Sequence, residues 1–102
     1  MVTDTEAGLV ERLRAGEHAA FDEVYAAYRE RLYTFLARLS RSRQVADDLS
    51  EELWLRLVTH AGRLRPDTRL GAWLFAVARN LHLSYCRSRA SDESLESAAI
   101  GM

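Results

Sequence analysis

The sequence predicts an all-α fold, a compact bundle of about four helices with a loop between the third and fourth. Three observations predict it. Ala, Leu, Arg and Glu dominate, and all are good helix formers. Chain breakers are scarce, with five glycines and the single Pro66 in 102 residues. Apolar residues recur at steps of three and four along most of the chain, and no stretch alternates as a half-buried strand does.

The elements follow in order. Leu9, Val10 and Leu13 sit at helical spacing behind the cap-type residues Thr3, Asp4 and Thr5, so a short amphipathic helix is expected from Thr5 to Arg14, stopped by Gly16. From His18 to Leu39 the steps run through Phe21, Val24, Tyr25, Tyr28, Leu32, Phe35, Leu36 and Leu39, which predicts the longest helix. Ser40 to Ser42 interrupts it. Val45, Leu49, Leu53, Trp54, Leu57 and Val58 then define a third helix reaching about His60, ended by Gly62.

Gly62 to Thr68 holds the only proline and reads as a loop, with Asp67 and Thr68 available to cap a fourth helix. That helix is expected to bury Leu70, Trp73, Leu74, Val77, Leu81 and Tyr85, leaving Gly71, Phe75, Arg79, Asn80, His82, Cys86 and Arg87 nearer to solvent. From Ala90 the composition turns to Ser, Asp, Glu and Ala without apolar periodicity, which reads as a linker or disordered tail over 90–102. Residues 1–89 are the expected domain, a common size for a single one.

With 48% apolar and 28% charged residues the chain can bury a core, yet no run approaches the ~18 uninterrupted apolar residues of a membrane span. Met1 is followed by neither a basic nor an apolar export region, so the cytoplasm is the expected location. Enzyme chemistry finds no support: there is no Gly-rich phosphate loop, no nucleophile elbow and no metal-ligand spacing among His18, His60, His82 and Cys86. Cys86 reads as a small packing residue. No cofactor or metal is expected.

The net charge of -1 conceals a partition. Residues 1–28 carry -4, residues 29–89 carry +6 and residues 90–102 carry -3. All fourteen basic residues are Arg, which suits either GC-rich codons or planar, bidentate phosphate contacts. The third helix bears Asp47, Asp48, Glu51 and Glu52 with only Arg56 to offset them. Asp47 and Asp48 can complement a positive helix N-terminus, whereas Glu51 and Glu52 fall beyond it; a solvated face and a docking surface for a basic partner both stay open. Between Thr59 and Arg89, six arginines stand against Asp67 alone, with Phe75, His82 and Tyr85 interleaved. Such a mixture suits a single-stranded nucleic acid, although most of these rings fit a core equally well.

The runs Val45–Leu57 (VADDLSEELWLRL) and Arg65–Leu81 (RPDTRLGAWLFAVARNL) resemble region two of bacterial sigma factors of the sigma-70 family, specifically the extracytoplasmic-function group. The resemblance spans roughly Leu9 to Arg89 and implies a helical domain with two partners. The acidic helix, through Asp47, Asp48, Glu51, Glu52, Leu55 and Arg56, would dock on the β′ clamp coiled coil of core RNA polymerase. The loop and fourth helix, through Arg63, Arg65, Pro66, Asp67, Thr68, Arg69, Phe75, Arg79, Asn80 and Arg87, would take the unpaired non-template strand of the minus-ten promoter element, with a base held in a pocket walled by the loop.

An anti-sigma factor is a further implied partner, and a sigma-like domain that only binds such a regulator is the alternative. Glu51, Arg69, Gly71 and Ser84 depart from residues usual in the family, which bears on promoter preference. The family normally continues into a helix-turn-helix domain, so 90–102 is expected to begin the interdomain linker.

Overall fold

The computed structural model describes residues 5–100, with side-chain surroundings through residue 92. Four α-helices form the bundle expected: α1 (Glu6–Arg14), α2 (His18–Ser40), α3 (Arg43–His60) and α4 (Leu70–Ile100). A 3₁₀ turn at Ala61–Arg63 follows α3.

The termini show why these boundaries arise. The Thr5 hydroxyl accepts from the Gly8 N–H at 3.1 Å and the Ser42 hydroxyl from the Val45 N–H at 3.2 Å, so α1 and α3 each start on a side-chain cap. Thr3 and Asp4, also expected as caps, lie outside the described residues. Gly16 ends α1 with φ +79°, while Glu17 N–H reaches the Arg12 carbonyl and Gly16 N–H that of Leu13, a pairing that needs the left-handed region glycine tolerates. Arg41 takes the same conformation after α2, at φ 57°.

The core is aliphatic and comes from all four helices. Val10, Leu13, Val24, Leu32, Leu36, Leu53, Leu57, Leu70 and Leu74 are almost wholly buried, and Ala20, Ala46 and Ala78 let the helices approach. Several stripe positions sit further out than their spacing suggests. Tyr25, Leu39 and Val58 are exposed, and Trp54, Trp73, Val77 and Tyr85 are half-buried. Aromatic residues therefore rim this core, where a ring can shield apolar neighbours and keep one edge in water.

Tyr28 meets Gly71, and Phe35 meets Phe75 further along both helices, so α2 and α4 run in the same direction. A Cβ on Gly71 would lie 3.1 Å from the Tyr28 hydroxyl. Gly71, in the first turn of α4, is thus the point where α2 seats against α4, and a long basic side chain there would displace Tyr28.

Two expectations are corrected. Asp67 and Thr68 do not cap α4: its first N–H, that of Leu70, donates to Glu6 Oε1 at 2.9 Å, a carboxylate from α1 sixty-four positions away. Thr68 instead closes the loop on itself, its N–H and hydroxyl both donating to the Arg65 carbonyl at 2.9 and 2.6 Å. The second correction concerns the stretch from Ala90, which stays helical to Ile100. Apolar periodicity reports packing, not helicity; Ala90–Ile100 contains neither Gly nor Pro, so nothing breaks the helix although residues 86–92 are all exposed.

Removing the borrowed cap yields a test. Glu6→Ala is expected to destabilise the domain by about 1 kcal/mol, lowering the melting temperature by roughly 4–8 °C, whereas Glu6→Gln keeps an acceptor oxygen and recovers most of the loss. Thermal circular dichroism of the two variants checks it; equal melting temperatures for Glu6→Ala and wild type would mean the contact contributes nothing.

Candidate functional site

On α3 the core stripe Ala46, Leu53 and Leu57 faces the bundle. Asp47, Asp48, Glu51, Glu52, Leu55 and Arg56 are all exposed, so the six residues expected as a docking face lie on the outer side of one helix. The helix starts at Arg43 and has no acid in its first turn, so Asp47 and Asp48 do not serve its N-terminal dipole. Glu52 Oε1 and Arg56 Nε are 3.4 Å apart, both half exposed, a pair worth only a few tenths of a kcal/mol. The other three acids have no ion pair among the described residues. Leu55 (58% exposed) and Val58 (59%) add an apolar element beside them, a combination more typical of a docking surface than of a purely solvated face.

Next to this face, α2 and α3 enclose a groove of 610 Å³ with Tyr25, Tyr33 and Trp54 as its aromatic walls and Arg29, Asp47 and Glu51 at its rim. Tyr25 and Trp54 pack edge to face, 5.1 Å between centroids at 64°. Spacing puts Tyr25 and Trp54 on the apolar stripes of their helices; where α2 lies beside α3, Tyr25 is exposed and Trp54 half-buried.

The second candidate surface is the loop with α4. Buried Ala61 and Leu64 anchor the loop to the bundle. Arg65–Pro66–Asp67–Thr68 forms a turn, with proline in its second position where a fixed φ favours it and the Thr68 N–H closing on the Arg65 carbonyl. Arg65 Nε lies 3.4 Å from Asp67 Oδ1, but both side chains are largely exposed, so the contact leaves Arg65 available. Arg63, Pro66 and Arg69 are exposed and Thr68 is half-buried.

A pocket of 180 Å³ opens between the loop and α4, lined by His60, Arg63, Leu64, Arg65, Thr68 and Trp73. His60 Nδ1 lies 3.0 Å from the Arg56 carbonyl, which fixes the ring at the end of α3. His60 and Trp73 were not among the expected site residues. Trp73 was assigned to the core, although its one-turn spacing from Arg69 was the signal that could have placed it beside the loop.

Along α4, Arg69, Trp73, Asn80 and Arg87 recur at helical spacing on one face, with Asn80 about 10 Å along the axis from Trp73. Phe75 and Arg79 do not share it. Phe75 turns toward α2, edge to face with Phe35 at 5.2 Å, and Arg79 follows one turn later on that side. Of the ten residues expected as one surface, Phe75 and Arg79 therefore stand on a different face of α4 from Asn80 and Arg87. Cys86 is exposed, which corrects its reading as a packing residue; its Sγ is 3.5 Å from His82 Nε2.

Among the described residues no group of three or more His, Cys, Asp or Glu could hold a metal ion, and no helix is long and apolar enough to cross a membrane.

Residues 24–91 match the family model for Sigma-70 region 2. The chain is 37% identical over 71 residues to RNA polymerase sigma factor CarQ of Myxococcus xanthus, covering 70% of this chain and 41% of that protein. It is 36% identical over 81 residues to the ECF RNA polymerase sigma factor BldN of Streptomyces coelicolor, covering 78% and 31%. The chain thus spans between about a third and a half of these curated relatives. Its fold superimposes with a TM-score of 0.74 at 22% identity, over 88% of this chain and 95% of the other, on an engineered region 2 of sigmaE solved by NMR in complex with GTAAAA.

Proposed function

The chain belongs to the sigma-70 region 2 family, of the extracytoplasmic-function type, and on that premise we propose that it is the promoter-recognition and promoter-melting domain of an alternative sigma factor. It docks through Asp48, Glu51, Glu52 and Leu55 on the β′ clamp coiled coil. It takes the non-template strand of the minus-ten element on the loop and α4. The domain performs no bond chemistry of its own; it acts by binding.

The observation that carries this reading is the separation of two exposed surfaces of opposite charge on one small bundle: acids around Leu55 on α3, and exposed arginines around an aromatic-walled pocket at the loop. Arginines on the loop contact phosphates and set the register of the strand without reading it. The pocket holds a base turned out of the stack, against Trp73. Extrusion costs a few kcal/mol, which stacking and the phosphate contacts offset. Asn80, which carries both a donor and an acceptor, reads a base edge on the same face. That a protein of the same fold was solved in complex with GTAAAA supports a nucleic-acid ligand for this domain.

An anti-sigma factor regulates access to either surface. The site of action is the cytoplasm, where polymerase and promoter are.

Fluorescence anisotropy with labelled minus-ten single strands at several salt concentrations, together with a pull-down on the isolated clamp coiled coil, tests the assignment. Asn80→Ala is expected to weaken or relax strand recognition by about tenfold and to leave clamp binding unchanged. Absence of both strand and clamp binding by the wild-type domain would overturn it.

A further inference from the structure

The loop between α3 and α4 is held from outside itself. Leu64 N–H donates to the Ala61 carbonyl at 3.3 Å, and Thr68 donates to the Arg65 carbonyl through both its N–H and its hydroxyl. These bonds reach no further than three residues along the chain, so they shape the turn without fixing where it stands on the bundle. Its two ends meet α1. The 3₁₀ turn Ala61–Arg63, which opens the loop, packs against α1. Leu70, which closes it, donates its N–H to Glu6 Oε1 at 2.9 Å.

The sequence of α1 suits it to this position. Glu6, Val10 and Leu13 follow one another at four and three residues and so share one face of the helix. Val10 and Leu13 are fully buried in the core cluster that also contains Leu64 and Leu70, and Glu6 stands at the N-terminal end of that stripe. The Thr5 hydroxyl, accepting from Gly8 N–H, fixes the turn from which Glu6 projects. The carboxylate reaches the N-terminus of α4, where a negative charge is favoured. The two local candidates for that place are turned to the loop: the Thr68 hydroxyl donates to Arg65, and Asp67 Oδ1 lies 3.4 Å from Arg65 Nε. The residues lining the loop pocket all fall between His60 and Trp73, inside or directly beside the segment that α1 holds.

We propose that Glu6 is a positioning residue for strand recognition: from α1 it fixes the start of α4 and the end of the loop, and so keeps Trp73 and the loop arginines in the arrangement that receives a single strand. It acts through the backbone of Leu70 and not by touching the strand. The inference rests on the reading of the loop and α4 as a single-strand surface. Without the carboxylate the loop samples further arrangements, a fraction of them receives the strand, and the apparent affinity falls by that fraction. Charge alone predicts the opposite sign, since removing a negative group near the binding site of a polyanion strengthens binding. Geometry and charge are therefore separable.

The experiment is anisotropy and stopped-flow binding of a labelled minus-ten single strand, well below every melting temperature, on wild type, Glu6→Ala, Glu6→Gln and Ser42→Ala. Glu6→Ala is expected to bind about fivefold more weakly, the equivalent of one lost cap, with the loss in the association rate and the dissociation rate unchanged. Amide exchange at Thr68 and Trp73 is expected to speed up in the same variant. Glu6→Gln keeps an acceptor without the charge and binds at least as tightly as wild type. Ser42→Ala removes the cap of α3 at a comparable cost in stability, but at the end of α3 opposite the loop, and leaves strand affinity unchanged.

Equal affinity of Glu6→Ala and wild type overturns the positioning role and leaves the loop reading intact. Equal weakening in Glu6→Ala and Ser42→Ala also overturns it, because the loss then follows stability alone. A loss in Glu6→Gln as large as that in Glu6→Ala, or one carried by the dissociation rate, overturns it in favour of direct contact with the strand. Absence of strand binding by wild type overturns both the positioning role and the loop reading.

Discussion

Asp48→Arg combined with Glu52→Arg is expected to lower affinity for the β′ clamp coiled coil by about a hundredfold, roughly tenfold per reversed charge, with the melting temperature nearly unchanged. The fold is spared because both side chains project from the outer side of α3, where Glu52 makes only the weak pair with Arg56 and Asp48 has no ion pair among the described residues. Binding suffers because each reversal turns an attraction into a repulsion against a basic partner. Most of the loss is expected in the association rate, and it shrinks as salt screens the surface. Titration of the labelled coiled coil at two ionic strengths checks the result. Equal affinity for variant and wild type would remove α3 from the docking surface.

Leu53→Ala, the residue next to Glu52, is expected to do the opposite: destabilise the domain by about 2–5 kcal/mol without altering any surface. Leu53 is fully buried among the core aliphatics, so truncation removes transfer free energy and leaves a cavity that rigid helices fill only partly. Against a total of about 5–15 kcal/mol this is a large fraction, and the melting temperature should fall by roughly 10–30 °C. Chemical denaturation gives the stability, and clamp binding measured well below the melting point should stay near wild type. A loss under about 1 kcal/mol would mean that α3 is not packed as described. Adjacent residues thus separate folding from docking, because successive helical positions point about 100° apart.

The same geometry explains which parts of the molecule were legible in the sequence. The acidic face was legible because all its members lie on one helix, where a spacing of three and four residues is itself a spatial statement. The loop was legible because Pro66, Asp67 and Gly62 are local breakers. The pocket behind it was not, because His60 and Trp73 come from two different helices and meet only when those helices pack. For Phe75 and Arg79 the expectation treated α4 as one surface, whereas its packing on α2 gives the helix two solvent-facing sides.

What the sequence by itself determined is the set of helices, their caps at Thr5 and Ser42, the aliphatic stripe and the family, since each depends on neighbours within a few turns of the chain. What the tertiary structure alone decided is the meeting of distant residues. Glu6 caps α4 across sixty-four positions, Tyr28 takes the space that Gly71 leaves, and Phe35 of α2 meets Phe75 of α4 edge to face. The physical reason is that helical periodicity fixes which side of a helix is apolar, while the partner that covers this side is chosen by packing among helices, which no local spacing records.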